Sequence, residues 1–191
     1  MTESSDIIQL DYLVSNYDIE DKFKGQSIKI LTYPQLRNYY SILEILPESK
    51  SACFILIKTS FHSGHWTVIC RNDNNLYYFD SYGVRPDEEL KHIDEDLRYE
   101  LGEGHHYLTT LLDTNDFKVS YNQYQYQSYH EDINTCGKWC VIFAKAVFDE
   151  QTLKSFESGI LYLKKIYVEA YPEADTKYTL DEIASRLFDS Y

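Results

Sequence analysis

The chain has 191 residues, 43% of them hydrophobic and 16% aromatic, with 19 tyrosines; this is too apolar for a disordered segment and suits one globular unit spanning residues 1–191. The formal net charge of −13 argues against a surface built to neutralise nucleic-acid phosphates, because that binding rests on Lys and Arg displacing counterions. The apolar run Ala52–Ile57 is far too short to cross a bilayer, the polar start Met1–Asp6 suggests neither export nor anchoring, and four scattered cysteines suit a reducing compartment.

Residues 6–45 carry isolated apolar positions (Ile7, Ile8, Leu10, Leu13, Ile28, Ile30, Leu31) and read as short helices and turns packed on a core, with nothing catalytic. Residues 51–60 read as a buried central strand. Residues 65–71 and 76–81 read as a hairpin across Asn72-Asp73-Asn74-Asn75. Pro86 is expected to open an amphipathic helix with Leu90, Ile93, Leu97 and Leu101 on its apolar stripe, an acidic opposite face, and Gly102 as the stop.

Alternation predicts a strand over 117–127, leading through the polar loop 128–135 to Cys136. Helices are expected over 137 to about 148 and over 152–170, the latter burying Phe156, Ile160, Leu163, Ile166 and Tyr167. Thr179-Leu180-Asp181-Glu182 is a capping-box pattern for a last helix burying Ile183 and Leu187.

Cys136 stands at a predicted helix start, where unpaired N–H groups and the helix dipole favour thiolate, the nucleophilic form of cysteine. Gly137 follows without a side chain, so a substrate carbonyl can approach the backbone. In the hairpin, pairing Cys70 with Asn75 sets His65 directly opposite Asp80 on one face. Cβ atoms of such a pair lie roughly 4.5–5.5 Å apart, so Asp80 can orient the imidazole and His65 can serve Cys136 as base. For an oxyanion hole, the backbone N–H of Cys136 is one donor; Gln127 is the nearest side-chain amide, with Gln125 next, since 123, 125 and 127 share a strand face. Cys53 and Cys70 fall within apolar strands, and Cys140 reads as helix packing.

As a set, His65-Trp66, Asp80-Ser81 and Gln127 through Cys136-Gly137-Lys138-Trp139-Cys140 resemble the adenain and Ulp/SENP-type cysteine proteases, over roughly residues 50–148. Cys136-Gly137-x-x-Cys140-x-x-Phe143 is most similar to the viral branch, the maturation proteases of adenoviruses, virophages and large DNA viruses. The resemblance implies an α+β papain-like fold: a central mixed or antiparallel sheet flanked by helices, with the nucleophile at the N-terminus of a buried helix. It implies a Cys-His-Asp triad of Cys136, His65 and Asp80 acting through a thioester, Trp66 walling the site, and no metal or cofactor. It further implies a protein substrate such as a capsid precursor, a monomeric enzyme, and action in the host cytoplasm, viral factory or virion. The interval from Gln127 to Cys136 is longer than is usual in the family, and the acidity sets this chain apart from the basic, DNA-activated adenovirus enzyme.

The same triad would serve an isopeptidase acting on ubiquitin-like modifiers or, with a different acceptor, an acetyltransferase. A non-enzymatic zinc site from His62, His65, Cys136 and Cys140, or from His105 and His106, is disfavoured by the weak Cys-x3-Cys spacing.

Overall fold

The computed structural model describes residues 9–114, 116–149 and 179–191; the helix expected over 152–170 lies outside them. Its framework is a five-stranded mixed sheet whose strands lie side by side in chain order: β1 (Ser27–Thr32), β2 (Ser51–Lys58), β3 (Gly64–Asn72), β4 (Asn75–Asp80) and β5 (Lys118–Tyr121). The central pairs β2–β3 and β3–β4 are antiparallel, and the outer pairs β1–β2 and β4–β5 are parallel. Parallel outer strands need crossovers, and these cover one face of the sheet. Between β1 and β2 run a 3₁₀ turn (Tyr33–Asn38) and α2 (Ile42–Ile45); between β4 and β5 run a 3₁₀ turn (Glu89–His92), α3 (Glu95–Glu100) and α4 (Tyr107–Asp113). The other face carries α5 (Cys136–Phe148), packed chiefly on β3, and α6 (Leu180–Ser190), packed on α5.

Strand alternation divides the core in two. Ala52, Phe54, Trp66, Val68, Cys70 and Phe79 pack toward α5 with Trp139, Cys140 and Phe143. Cys53, Ile55, Ile57, Ile69, Leu76 and Tyr78 pack toward the crossovers with Leu36, Ile42, Leu90 and Leu111. Covered on both faces, β2 reads as a continuous apolar run rather than an alternating one, which is why it is plain in the sequence.

Elsewhere the structure corrects the sequence expectations. Before residue 45 it has a strand, β1, together with α1 (Asn16–Lys22), whose N-cap Ser15 forms a capping box with Asp18. The long helix after Pro86 is broken. Asp87 takes a left-handed backbone (φ 67°) and uses its carboxylate to accept from the Tyr33 hydroxyl at 2.7 Å and the Thr109 N–H at 2.8 Å. Ile93 is extended, and Asp94 then restarts a helix by accepting from Leu97 N–H at 3.1 Å. Gly102 does end that helix, at φ 78°.

The strand expected over 117–127 stops at Tyr121. Tyr126 and Gln127 are both buried, against alternation, because both of their N–H groups donate to Ser81 O, at 2.7 and 3.0 Å. The final helix forms with the expected Thr179/Glu182 capping box.

The hairpin turns through Asp73-Asn74 alone, Asp73 being left-handed (φ 51°), so Asn72 pairs with Asn75 and Asp80 faces Thr67 instead of His65. This register is two residues from the one expected, an even shift that keeps His65 and Asp80 on the same face as diagonal neighbours.

The rings of Phe79 and Phe143 stack 4.7 Å apart and join the sheet to α5. Phe143→Ala should cost about 3–5 kcal/mol, the usual cost of emptying a buried phenylalanine site, and denaturant unfolding would read it as a lower midpoint with unchanged slope.

Candidate active site

Three expected residues converge where the start of β3, the end of β4 and the N-terminus of α5 meet. His65 Nε2 lies 2.8 Å from Asp80 Oδ2, and both side chains are buried. Cys136, the first residue of α5, is close enough to the imidazole for the two side chains to shift each other's pKa. The imidazole has two nitrogens, so engaging Nε2 with Asp80 leaves Nδ1 for the thiol.

Burial, the largest influence on the Cys136 thiol, pushes its pKa up. The hydrogen bond with His65, the imidazolium charge, and the N–H groups of Trp66 and Gly137 outweigh it, and the net direction is down. Burial likewise disfavours a charged His65, but the charge and hydrogen bond of Asp80, together with Cys136, raise its pKa well above the ordinary imidazole value. Both directions favour the charged forms, imidazolium on His65 and thiolate on Cys136. The other three cysteines go the opposite way: burial lifts Cys53 to about 12 and pushes Cys70 and Cys140 well up, and Cys140 donates to Trp66 O at 3.2 Å.

Asp80 is held on all sides. Its Oδ1 accepts from Tyr82 N–H at 2.6 Å, its own N–H donates to Asn122 Oδ1 at 3.0 Å, and its carbonyl accepts from Asn122 Nδ2 at 2.7 Å. Tyr82 also stacks on the His65 ring, centroids 4.9 Å apart, and Tyr129 stacks on Tyr82 at 4.4 Å. Nothing in the sequence marks Asn122 or the Tyr82 ring, because both act through tertiary contacts.

Gln127 is buried, its Oε1 accepting from Ser81 Oγ and its Nε2 donating to Ile133 O, each at 2.9 Å. These bonds use one of its two amide N–H groups. Gln125 is exposed and donates to Gln127 O at 2.8 Å, so the two amides do not share a face. The loop before Cys136 is pinned by Asp181 of α6, which accepts from Thr135 Oγ1 and from Ser128 N–H.

Trp66 is buried, and its indole N–H donates to Val14 O at 3.0 Å. A Cβ on Gly137 would lie 2.6 Å from Val14 Cβ and 3.0 Å from Trp66 Cδ1, so the space beside Gly137 is filled by the protein itself. Leu13, Val14, Tyr17, Leu56, Trp66 and Cys136 line a cavity of about 380 Å³. The N-terminal segment, expected to lack catalytic residues, thus builds one wall of the site. Among the described residues, His65, Asp80 and Glu89 bring metal-capable atoms within 4.8 Å of one another.

The chain is 35% identical over 130 residues to the Uncharacterized protein V9 of Sputnik virophage, an alignment covering 68% of this chain and 73% of that protein. The chain belongs to the V9 family. No protein-family model matches this V9-family chain. Its fold resembles the crystal structure of the selenomethionine ASFV pS273R protease, with a TM-score of 0.48 and 13% identity over 95% of this chain and 69% of that one.

For this V9-family protein, iodoacetamide should label Cys136 rapidly at about pH 6, where an ordinary thiol with a pKa of about 8.5 is almost wholly protonated. His65→Ala should move the labelling midpoint upward, because the hydrogen bond and charge of His65 are lost and only the Trp66 and Gly137 N–H groups remain to oppose burial. Mass-resolved peptide mapping reads both.

Proposed function

We propose that this protein is a cysteine endopeptidase, acting as a viral maturation protease that cleaves precursor proteins of the particle. The observation that carries the reading is the buried line Asp80–His65–Cys136, with Asp80 2.8 Å from the imidazole and Cys136 the cysteine whose pKa is drawn down. Membership of a family with a virophage protein supports the viral setting.

In the proposed reaction the Cys136 thiolate attacks the scissile carbonyl carbon, forming a C–S bond and an oxyanion. Collapse of that intermediate breaks the C–N bond while imidazolium His65 gives its proton to the departing amine, leaving a thioester. Neutral His65 then takes a proton from water, whose oxygen attacks the thioester. Breaking the C–S bond releases the new carboxylic acid, which loses its proton to solvent, and restores the ion pair. Asp80 remains ionised throughout, holding the ring and balancing its charge.

The backbone N–H of Cys136 and the spare Nε2–H of Gln127 are the proposed oxyanion donors, each worth about 2.7–4 kcal/mol in such sites. Trp66 is the proposed wall of the substrate channel, and Gly137 keeps the start of α5 narrow there. We place the enzyme as a monomer in the host cytoplasm, viral factory or virion, working on protein without nucleic acid, metal or membrane.

The test is incubation of the protein with precursor capsid proteins of its virus. Cleavage by wild type and none by Cys136→Ala, with an acyl adduct on Cys136 trapped by mass spectrometry, is the expected result. Gln127→Ala should lower kcat by about 10²–10³-fold with little change in KM. Cleavage that survives Cys136→Ala would contradict the proposal.

A further inference from the structure

Glu89, within the segment expected to form one amphipathic helix, points into the core from a 3₁₀ turn and is 7% exposed. It lies behind the triad: oxygens of Glu89 and Asp80 and the His65 nitrogen are all within 4.8 Å of one another, and the two carboxyl groups are within hydrogen-bonding reach. The Tyr78 hydroxyl donates to Glu89 Oε1. Glu89 Oε2 is fully buried and has no donor to satisfy it.

Two carboxylates this close in a dry interior do not both ionise, and the donors around them decide which keeps the charge. Asp80 has the imidazole and the Tyr82 N–H; Glu89 has one phenol hydroxyl. A proton on Glu89 Oε2 turns an unsatisfied acceptor into a donor with the Asp80 carboxylate as its neighbour, which resolves the orphaned atom and the repulsion together. The pKa directions agree: burial and the Asp80 contact raise Glu89 well above the carboxylate range, while the charge of His65 is foremost among the influences that overcome burial and lower Asp80. The titratable groups facing Glu89 are His65 of β3, Tyr78 and Asp80 of β4, and Cys140 of α5.

We propose that Glu89 is a positioning residue, a neutral carboxylic acid held by Tyr78 that donates a hydrogen bond to Asp80 and fixes that carboxylate against His65. The inference rests on the triad reading above, and its chemistry extends the line to four groups: Glu89–Asp80–His65–Cys136.

The test compares wild type, Glu89→Gln and Glu89→Ala. Glutamine copies a neutral acid, with a carbonyl to accept from Tyr78 and an amide to donate to Asp80. Glu89→Gln should therefore keep the wild-type pH profile of Cys136 labelling. Glu89→Ala should slow labelling at about pH 6 by about tenfold, the worth of one hydrogen bond to a charged group. Infrared difference spectra at neutral pH should show a protonated-carboxyl C=O band in wild type that is lost in Glu89→Gln.

A Glu89→Gln profile displaced from wild type would mean that Glu89 carries charge, and the absence of the infrared band would mean the same; either overturns the proposal. So does a Glu89→Ala profile matching wild type. The infrared band does not depend on catalysis. A wild-type Cys136 that labels slowly at about pH 6 while the band is present would overturn the triad reading and leave a neutral Glu89 standing.

Discussion

A carboxylate taken wholly out of water must be paired and hydrogen-bonded, because an uncompensated buried charge costs several kcal/mol. Asp80 is such a group, and much of the surrounding fold meets its demand. The β3–β4 register brings His65 diagonal to it, the turn after β4 supplies the Tyr82 N–H, and Asn122 braces its backbone from the segment after β5. The charge so maintained raises the pKa of the imidazole, and His65 in turn lowers that of the Cys136 thiol against burial.

The helix carrying Cys136 is fixed with comparable redundancy. Phe143 stacks on Phe79 of the sheet, Asp181 of α6 grips Thr135 and the loop before it, and Lys138 donates to Ser185 Oγ of α6 at 3.0 Å and to the Gln9 carbonyl. Val14 and Trp66 press on Gly137 where any side chain would collide. Reacting groups placed by rigid elements on both sheet faces are preorganised, which spares the proposed reaction the cost of assembling them.

Much of this was legible in the sequence. The β2 run, the hairpin, the helix beginning at Cys136 and the capping box at Thr179 are local patterns, and local patterns survive folding. His65 and Asp80 were found together although the inferred register was wrong by two, because strand faces depend on parity alone. What escaped was set by tertiary contact. Asp87 breaks a well-patterned helix to tether Tyr33 and Thr109, Glu89 is buried behind Asp80, and the chain after Tyr121 leaves the sheet to donate to Ser81. Strand β1 carries only one buried residue, Leu31, so its alternation was too weak to read. Val14, far from Cys136 in sequence, carries no motif at all.

The central claim is that Asp80 holds His65 as an imidazolium beside a Cys136 thiolate. ¹⁵N NMR of the His65 ring across pH tests it most directly, since the nitrogen shifts report protonation without any substrate. The account predicts that both ring nitrogens remain protonated well above the ordinary imidazole pKa of about 6.5, and that Asp80→Asn brings the titration down. A His65 ring that is neutral in the wild-type protein at about pH 7 would contradict it.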